Sequence, residues 1–468
     1  MRCIDVLAQG LFSVYPHVNE TMATLTGPII QGKQRATARW RLPIIVLVAL
    51  ALRLAVIPFN SVLFENLMDA GHIHAWEQGN VARALVAGQG FGSPFDSHQQ
   101  PSAVMPPVYP LIVAAFFRLF GVHTARSIFA IHAFDCLINS LTCIPIFLLA
   151  RRSFGERAAW WAAWAWAFSP YGIYFSAAWA WSTHLMLLCL CWLLYLAQGL
   201  ERSPRLGLWA GFGLLAGFAG LTEPSILVVI PFLLALAAWR MARAGQRWLL
   251  PGAVASLVLG GILSSWLIRD ALVFHRFIPV RDSMGLELWM GNNGSNLRWT
   301  SDDRHPLHNA QEQAAYDAGE LAYMDHKAQQ ARAYIHDHPG WYAWMCARRA
   351  VYLWTGYWSF DPRYLAMEPT DPANVPFATC LTLLGLLGLL LAWRERPFEV
   401  IRYTGVLFLF PVMYYFTHPE PYEMRALDPL LAILGCFAIL ALRERTRESA
   451  GLAKVSERGG ALAGSMEY

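Results

Sequence analysis

Charge is scarce in this chain: Asp, Glu, Lys and Arg make up 15% of its 468 residues, against about 25% in an ordinary soluble domain. That shortfall excludes a soluble protein of this length. The net charge of +4 is small and is not gathered into a basic stripe, which excludes a nucleic-acid partner. Patterned cysteine is missing too. Cys136, Cys143, Cys189, Cys191, Cys380 and Cys436 lie in apolar runs and read as buried thiols. There is no glycine-rich dinucleotide loop and no HExxH motif. His305, His308, His326, His336 and His338 follow no ligand spacing, so no metal site or other cofactor is expected. Before residue 40 no basic, apolar and cleavage regions follow one another, so a cleaved leader is not expected there.

What the chain has is apolar length. Hydrophobic residues make up 56% of it and 20 are tryptophan, and the mean hydropathy is +0.36. Tryptophan favours lipid–water boundaries, so many such boundaries are expected. Runs long enough for a bilayer core of about 30 Å predict ten spans: 43–59, 125–149, 158–175, 179–197, 207–222, 225–239, 249–268, 376–392, 400–417 and 424–442. The short arginine-rich connections 150–157, 200–207, 240–247, 393–397 and 442–448 belong in the cytoplasm by the positive-inside rule.

Alternation then forces two long segments outward. The run 106–121 is too short to span and should lie along the outer surface. The run 341–358 carries two arginines and should do the same. The expected organisation is a cytoplasmic tail (1–42), a membrane module (43–268) with a first outer loop (60–124), a second outer loop (269–375), closing helices (376–442) and a second tail (443–468). The fold class expected is an all-α polytopic membrane protein with juxtamembrane helices on two large outer loops. No inverted repeat of the kind transporters carry is evident.

The first outer loop contains "AWEQGNVARALVAGQGFGSPF", residues 75–95. Read as a helix over 70–88, it places Glu77, Val81, Ala84, Leu85 and Gly88 on one side. Glu77 has no Lys or Arg at i+3 or i+4. A carboxylate so placed suits a general base; it equally suits a first-turn acid that favours the helix dipole. Asp69, Glu65 and Asp96 are competing acids. Gly88 and Gly90 predict a turn that Pro94 stiffens. Elsewhere, Arg53 lies inside the first span, and Asp135 and Asn139 share a face of the second, with Asp135 a possible partner for Arg53. Glu223 closes the fifth span and Arg269-Asp270 the seventh. The stretch "YYFTHPEPYEMRALDP", 414–429, gathers His418, Glu420, Glu423, Arg425 and Asp428 at the outer boundary, where an arginine suits a phosphate and a charged helix start is the plainer reading.

In order, "WEQGNVARALVAGQGFGSPF", "MPPVYPLIVAAFFRLFGVHTARS", "GLTEPSILVVIPF", "FIPVRDSMGLELWMGNNGS" and "THPEPYEMRALDPLLAIL" resemble the GT-C class of membrane glycosyltransferases. The pattern is similar to protein O-mannosyltransferases and the lipid A aminoarabinose transferase, especially the RgtA/B/C/D-like branch. The resemblance covers 43 to about 442. It implies transfer of a sugar from a polyprenyl-phosphate carrier to a hydroxyl on the periplasmic side of a bacterial inner membrane, by an inverting single displacement. The acceptor implied is a glycolipid, polysaccharide or protein hydroxyl. An acid of the first outer loop activates it, with Glu77 preferred and Asp69 second. Arg425, Arg269, Arg53 and His418 are the candidates for holding the donor. Relatives often carry an Asp-Glu pair after the first span, where this chain has single acids, and an Arg-Tyr-Arg near the last helix, where it keeps Arg425. A non-catalytic assembly protein of the same fold and a polytopic transporter are the alternatives.

Overall fold

The computed structural model describes residues 28–59, 76–95, 101–294, 304–356, 362, 365, 371–417 and 424–464. Asp69, Glu65, Asp96 and His418 lie outside them. The described chain is helical, and one antiparallel bridge joins Gly92 to Pro101. The helices are α1 (Pro28–Val56), α2 (Glu77–Val86), α3 (Val108–Phe120), α4 (Ala125–Leu141), α5 (Cys143–Phe154), α6 (Glu156–Ala167), α7 (Pro170–Ala178), α8 (Thr183–Leu200), α9 (Leu206–Thr222), α10 (Ile230–Arg243), α11 (Leu249–Phe274), α12 (Met284–Gly291), α13 (Ala310–Asp317), α14 (Glu320–Asp337), α15 (Pro339–Thr355), α16 (Asp371–Ala392), α17 (Pro397–Leu409), α18 (Val412–Phe416) and α19 (Asp428–Gly464).

Each expected span coincides with helical chain. Among the described residues, 7 passages are long and apolar enough to cross a membrane unaided. The other three are α9, with 17 residues, and two broken passages. Pro170 separates α6 from α7 and Pro411 separates α17 from α18, since proline supplies no N–H to the preceding turn. The expected N-terminal boundary at 42 falls inside a helix. α1 already begins at Pro28 and runs through that point, because Gln, Lys, Arg and Ala propagate a helix well.

The membrane core is built of small and branched side chains. Ala158, Ala159, Ala162 and Ala163 of α6 are buried in one core with Ile146, Leu149 and Ala150 of α5, and α6 packs on both α5 and α19. α9 lies against α11 closely enough that a Cβ on Gly213 would stand 2.3 Å from the Ala255 carbonyl oxygen. Small residues give such approaches where lipid supplies no hydrophobic drive.

Arg53 is buried in this core. Its Nε donates to Asn139 Oδ1 (3.0 Å), Nη1 to the carbonyls of Ala49 and Ala167 (both 3.1 Å), and Nη2 to that of Trp166 (3.0 Å). Two of these acceptors belong to the end of α6, where the break before Pro170 leaves carbonyls short of donors. The pairing of Arg53 with Asp135 is therefore replaced. Asp135 Oδ2 accepts from Tyr109 of α3 at 2.6 Å.

α3 has 13 residues, about 20 Å of helix, too short to span. Tyr109, Val113 and Phe117 face inward, while Leu111, Leu119 and Phe120 are exposed. α15 lies with the outer elements: buried Arg349 donates to the carbonyls of Gly291 and Phe416 and to Asn292 Oδ1. Both outer loops share one core, in which Val81, Phe95, Val104 and Met105 pack with Leu286, Trp289, Tyr316, Tyr323 and Met324.

Candidate active site at the outer mouth

The placement of Glu77 begins with its neighbours. Trp76 is extended at the N-cap of α2, and its buried ring meets Phe117 of α3 edge-on, with centroids 6.2 Å apart. The ring folds back over the helix because position 79 is glycine; a Cβ there would stand 2.2 Å from Trp76 Cε3. Glu77 is thus the first residue of α2. The described helix is shorter than 70–88 and is buried more evenly than an apolar stripe predicts. Gln78 and Asn80 are buried beside Val81, Ala82 and Ala84, whereas Gly88 is exposed. The turn after it does form, with φ of 76° at Gly88 and 87° at Gly90. Asn80 Nδ2 closes it by donating to the Pro94 carbonyl at 2.9 Å.

Glu77 has a neighbour that its own helix does not provide. His305 Nε2, from the second outer loop, lies 3.7 Å from Glu77 Oε1, inside ion-pair range and beyond a direct hydrogen bond. His305 Nδ1 accepts the Leu307 N–H at 3.2 Å, so the neutral ring carries its proton on Nε2, toward Glu77. Phe95 meets the imidazole edge-on, centroids 5.2 Å apart. No Lys or Arg lies at i+3 or i+4 of Glu77 within α2, and its neighbour across the loops is an imidazole.

Next to Glu77, Gln78 Nε2 donates to Ser182 Oγ (3.4 Å) at the head of α8, and Ser182 Oγ donates to Glu223 Oε2 (3.3 Å). Arg281 Nη1 is 4.0 Å from Glu223 Oε1, and its Nη2 donates to Glu287 at 2.7 Å. Burial raises the Glu223 pKa above the ordinary carboxylate value, opposed first by Arg281 and then by the Ser182 hydrogen bond.

The segment Ser102–Val104 locks the loops together. Arg269 Nη1 donates to the Ser102 carbonyl (2.8 Å), the Ala103 N–H donates to Glu320 Oε1 (2.7 Å), the Asp282 N–H to the Ala103 carbonyl (2.8 Å), and Arg281 Nε to the Val104 carbonyl (2.9 Å). Arg269 also donates to the Phe91 carbonyl (2.9 Å) and Asp270 (2.7 Å) and packs against the Trp266 ring. Its geometry is that of a loop fastener, and that of Arg53 a helix clamp.

Arg425 differs. It is buried, with Nη2 3.3 Å from the Leu353 carbonyl and Nη1 3.6 Å from Asp428 Oδ1. Its Nε has no hydrogen-bond partner among the described residues, and neither has that of Arg349. Leu353 and Arg349 are one turn apart on α15, so these two guanidiniums belong to one region. The short helix holding Arg425, Met424–Leu427, packs on α8, the helix whose head receives Gln78. The structure thus brings Glu77 and Arg425 to elements that meet at α8 and sets Arg269 and Arg53 to other work. Sequence reasoning missed Arg349, Gln78, Ser182 and Arg281, and weighed His305 only as a metal ligand. Only Arg349 carried a local signal, an arginine within an aromatic, apolar helix.

Residues 104–266 match the family Dolichyl-phosphate-mannose-protein mannosyltransferase. No curated protein matches the chain significantly. Among solved structures, it is similar to the archaeal oligosaccharyltransferase AglB from Archaeoglobus fulgidus in complex with an inhibitory peptide and a dolichol-phosphate, with 14% identity and a TM-score of 0.50 over 90% of this chain and 52% of that one. The apo form of the Archaeoglobus fulgidus oligosaccharyltransferase gives 14% identity and 0.49 over 89% and 51%. ArnT from Cupriavidus metallidurans bound to undecaprenyl phosphate gives 14% and 0.33 over 85% and 77%. The chain spans about half the length of the archaeal enzyme. With its helical passages, its paired outer loops and this likeness, the chain is an all-α polytopic membrane protein of the GT-C fold.

Proposed function

We propose that the chain transfers a sugar from a polyprenyl-phosphate carrier to a hydroxyl acceptor, a glycolipid or polysaccharide, at the periplasmic face of a bacterial inner membrane. The observation that carries this reading is the Glu77 carboxylate, placed at the outer mouth by Trp76 and Gly79 and faced by His305 of the other loop. The acceptor oxygen attacks the anomeric carbon as the bond from that carbon to the phosphate oxygen breaks, inverting the configuration. The acceptor's proton passes to Glu77, and the leaving group departs as polyprenyl phosphate. Charge developing on that phosphate is met by Arg425 and Arg349, whose Nε donors have no partner among the described residues. His418 adjoins that region in sequence, and Asp69 is the competing base. This reading requires no metal. The test is single-turnover transfer from a labelled polyprenyl-phosphate sugar. Glu77→Gln is expected to lower the rate by roughly 10²-fold with donor binding and melting temperature retained, and Asp69→Asn to cost less. A fully active Glu77→Gln beside a dead Asp69→Asn moves the role to Asp69.

A further inference from the structure

At the cytoplasmic side, far along the chain from the outer loops, the C-terminal end of α16, the turn that follows it and the middle of α19 bound a cleft of about 310 Å³ lined by Leu390, Leu391, Trp393, Arg394, Glu395 and Arg445. The charged groups around it are mostly engaged. Arg402 pairs with Glu201 and Glu399 in the protein interior, Arg240 pairs with Glu201, Arg157 pairs with Glu444 at 2.9 Å, and Arg396 Nη1 donates to the Ser153 carbonyl at 2.7 Å. Arg394 and Arg445 differ from these. Both are exposed, and neither guanidinium makes a hydrogen bond, ion pair or ring contact with a described residue. Two guanidiniums with no such partner among the described residues therefore border one cleft. Beside them Leu390 is 74% exposed and Trp393 61%, surfaces that a bilayer covers.

The order along α16 matches the order of chemistry through a lipid leaflet. Leu390 and Leu391 stand at acyl-chain depth, the Trp393 indole at the interface, and Arg394 just beyond it, with Arg445 opposite on α19. We propose that this cleft binds the phosphate headgroup of an anionic phospholipid of the cytoplasmic leaflet. The guanidiniums of Arg394 and Arg445 donate to its phosphate oxygens, and one acyl chain lies along Leu390 and Leu391. A basic pocket between helices on this side of a membrane suits such a headgroup. Glu395, in the same wall, opposes the anion and sets the affinity lower than the two arginines alone would.

The experiment uses the full chain in detergent with phosphatidylglycerol or phosphatidylcholine added, and native mass spectrometry to count retained lipid. The wild type is expected to retain phosphatidylglycerol preferentially. The double variant Arg394→Gln/Arg445→Gln should lose that preference by roughly 30-fold, two surface cations' worth, with an unchanged melting temperature. Glu395→Gln should shift retention the other way, which keeps the test decisive if the double variant folds poorly. Equal retention by the wild type and the double variant overturns the proposal, as does an unchanged Glu395→Gln. Displacement of phosphatidylglycerol by inorganic phosphate alone overturns it in favour of a free-anion site.

Discussion

His305 Nε2 stands 3.7 Å from Glu77 Oε1, and the two residues come from different outer loops. The Leu307 N–H holds Nδ1 and Phe95 packs edge-on against the ring, so the imidazole presents its N–H to the carboxylate in one orientation. If Glu77 is the base proposed above, a group of this kind would position it rather than react itself. His305→Ala is expected to lower single-turnover transfer by about tenfold without changing donor binding, and His305→Gln, which keeps an N–H donor, to recover part of the loss. Equal rates in His305→Ala and the wild type remove His305 from the site.

The arginines separate by what they already hold. Arg53 and Arg269 direct their donors to protein acceptors, while Arg425 and Arg349 each keep a buried Nε with no hydrogen-bond partner among the described residues. Arg425→Ala and Arg349→Ala are expected to weaken binding of polyprenyl phosphate in nanodiscs by roughly tenfold or more each, the scale of a lost charge-assisted hydrogen bond. Arg53→Met should instead lower the melting temperature, because Asn139 Oδ1 and the α6 carbonyls lose their donor. Unchanged affinity in the first two variants and their double removes them from the donor site.

The membrane body was readable because burial in lipid writes itself into each segment separately. A span such as 249–268 needs only its own apolar run, and α11 covers it. The breaks at Pro170 and Pro411 fall inside two of the expected spans, 158–175 and 400–417. The site was less readable because it is made of pairs far apart in the chain. Nothing in "WEQGN" points to His305, and nothing in "TEPS" tells that Glu223 will meet Ser182 and Arg281. Arg53 shows the opposite case: a lone cation in a span suggested a ligand-binding role, yet two of its four acceptors are carbonyls at a helix break more than 100 residues later.

The side of the membrane on which each loop lies is open to direct labelling. Gln89 and Gln329 are exposed on the outer elements, and Arg202 and Arg243 are exposed at arginine-rich connections. A membrane-impermeant maleimide should label Gln89→Cys and Gln329→Cys in intact cells above the background of the native cysteines. Arg202→Cys and Arg243→Cys should react only after permeabilisation. Labelling of Arg202→Cys in intact cells inverts the topology.

Glu223 gives the site a pH signature whose sign follows from its surroundings. Burial is the largest influence and raises its pKa above the ordinary 4.5; Arg281 and the Ser182 hydrogen bond pull it down, and Glu287 pushes it up again. The folded protein therefore holds this proton more tightly than the unfolded chain does. The stabilising contribution is complete below the ordinary value and is lost as pH rises through the raised one. Glu223→Gln resembles the protonated side chain at every pH. The melting temperature of the variant relative to the wild type is expected to rise between pH 4 and pH 7 and to level off above the raised pKa. A relative melting temperature that falls over this interval would mean that Arg281 and Ser182 stabilise the ionised carboxylate more than burial opposes it.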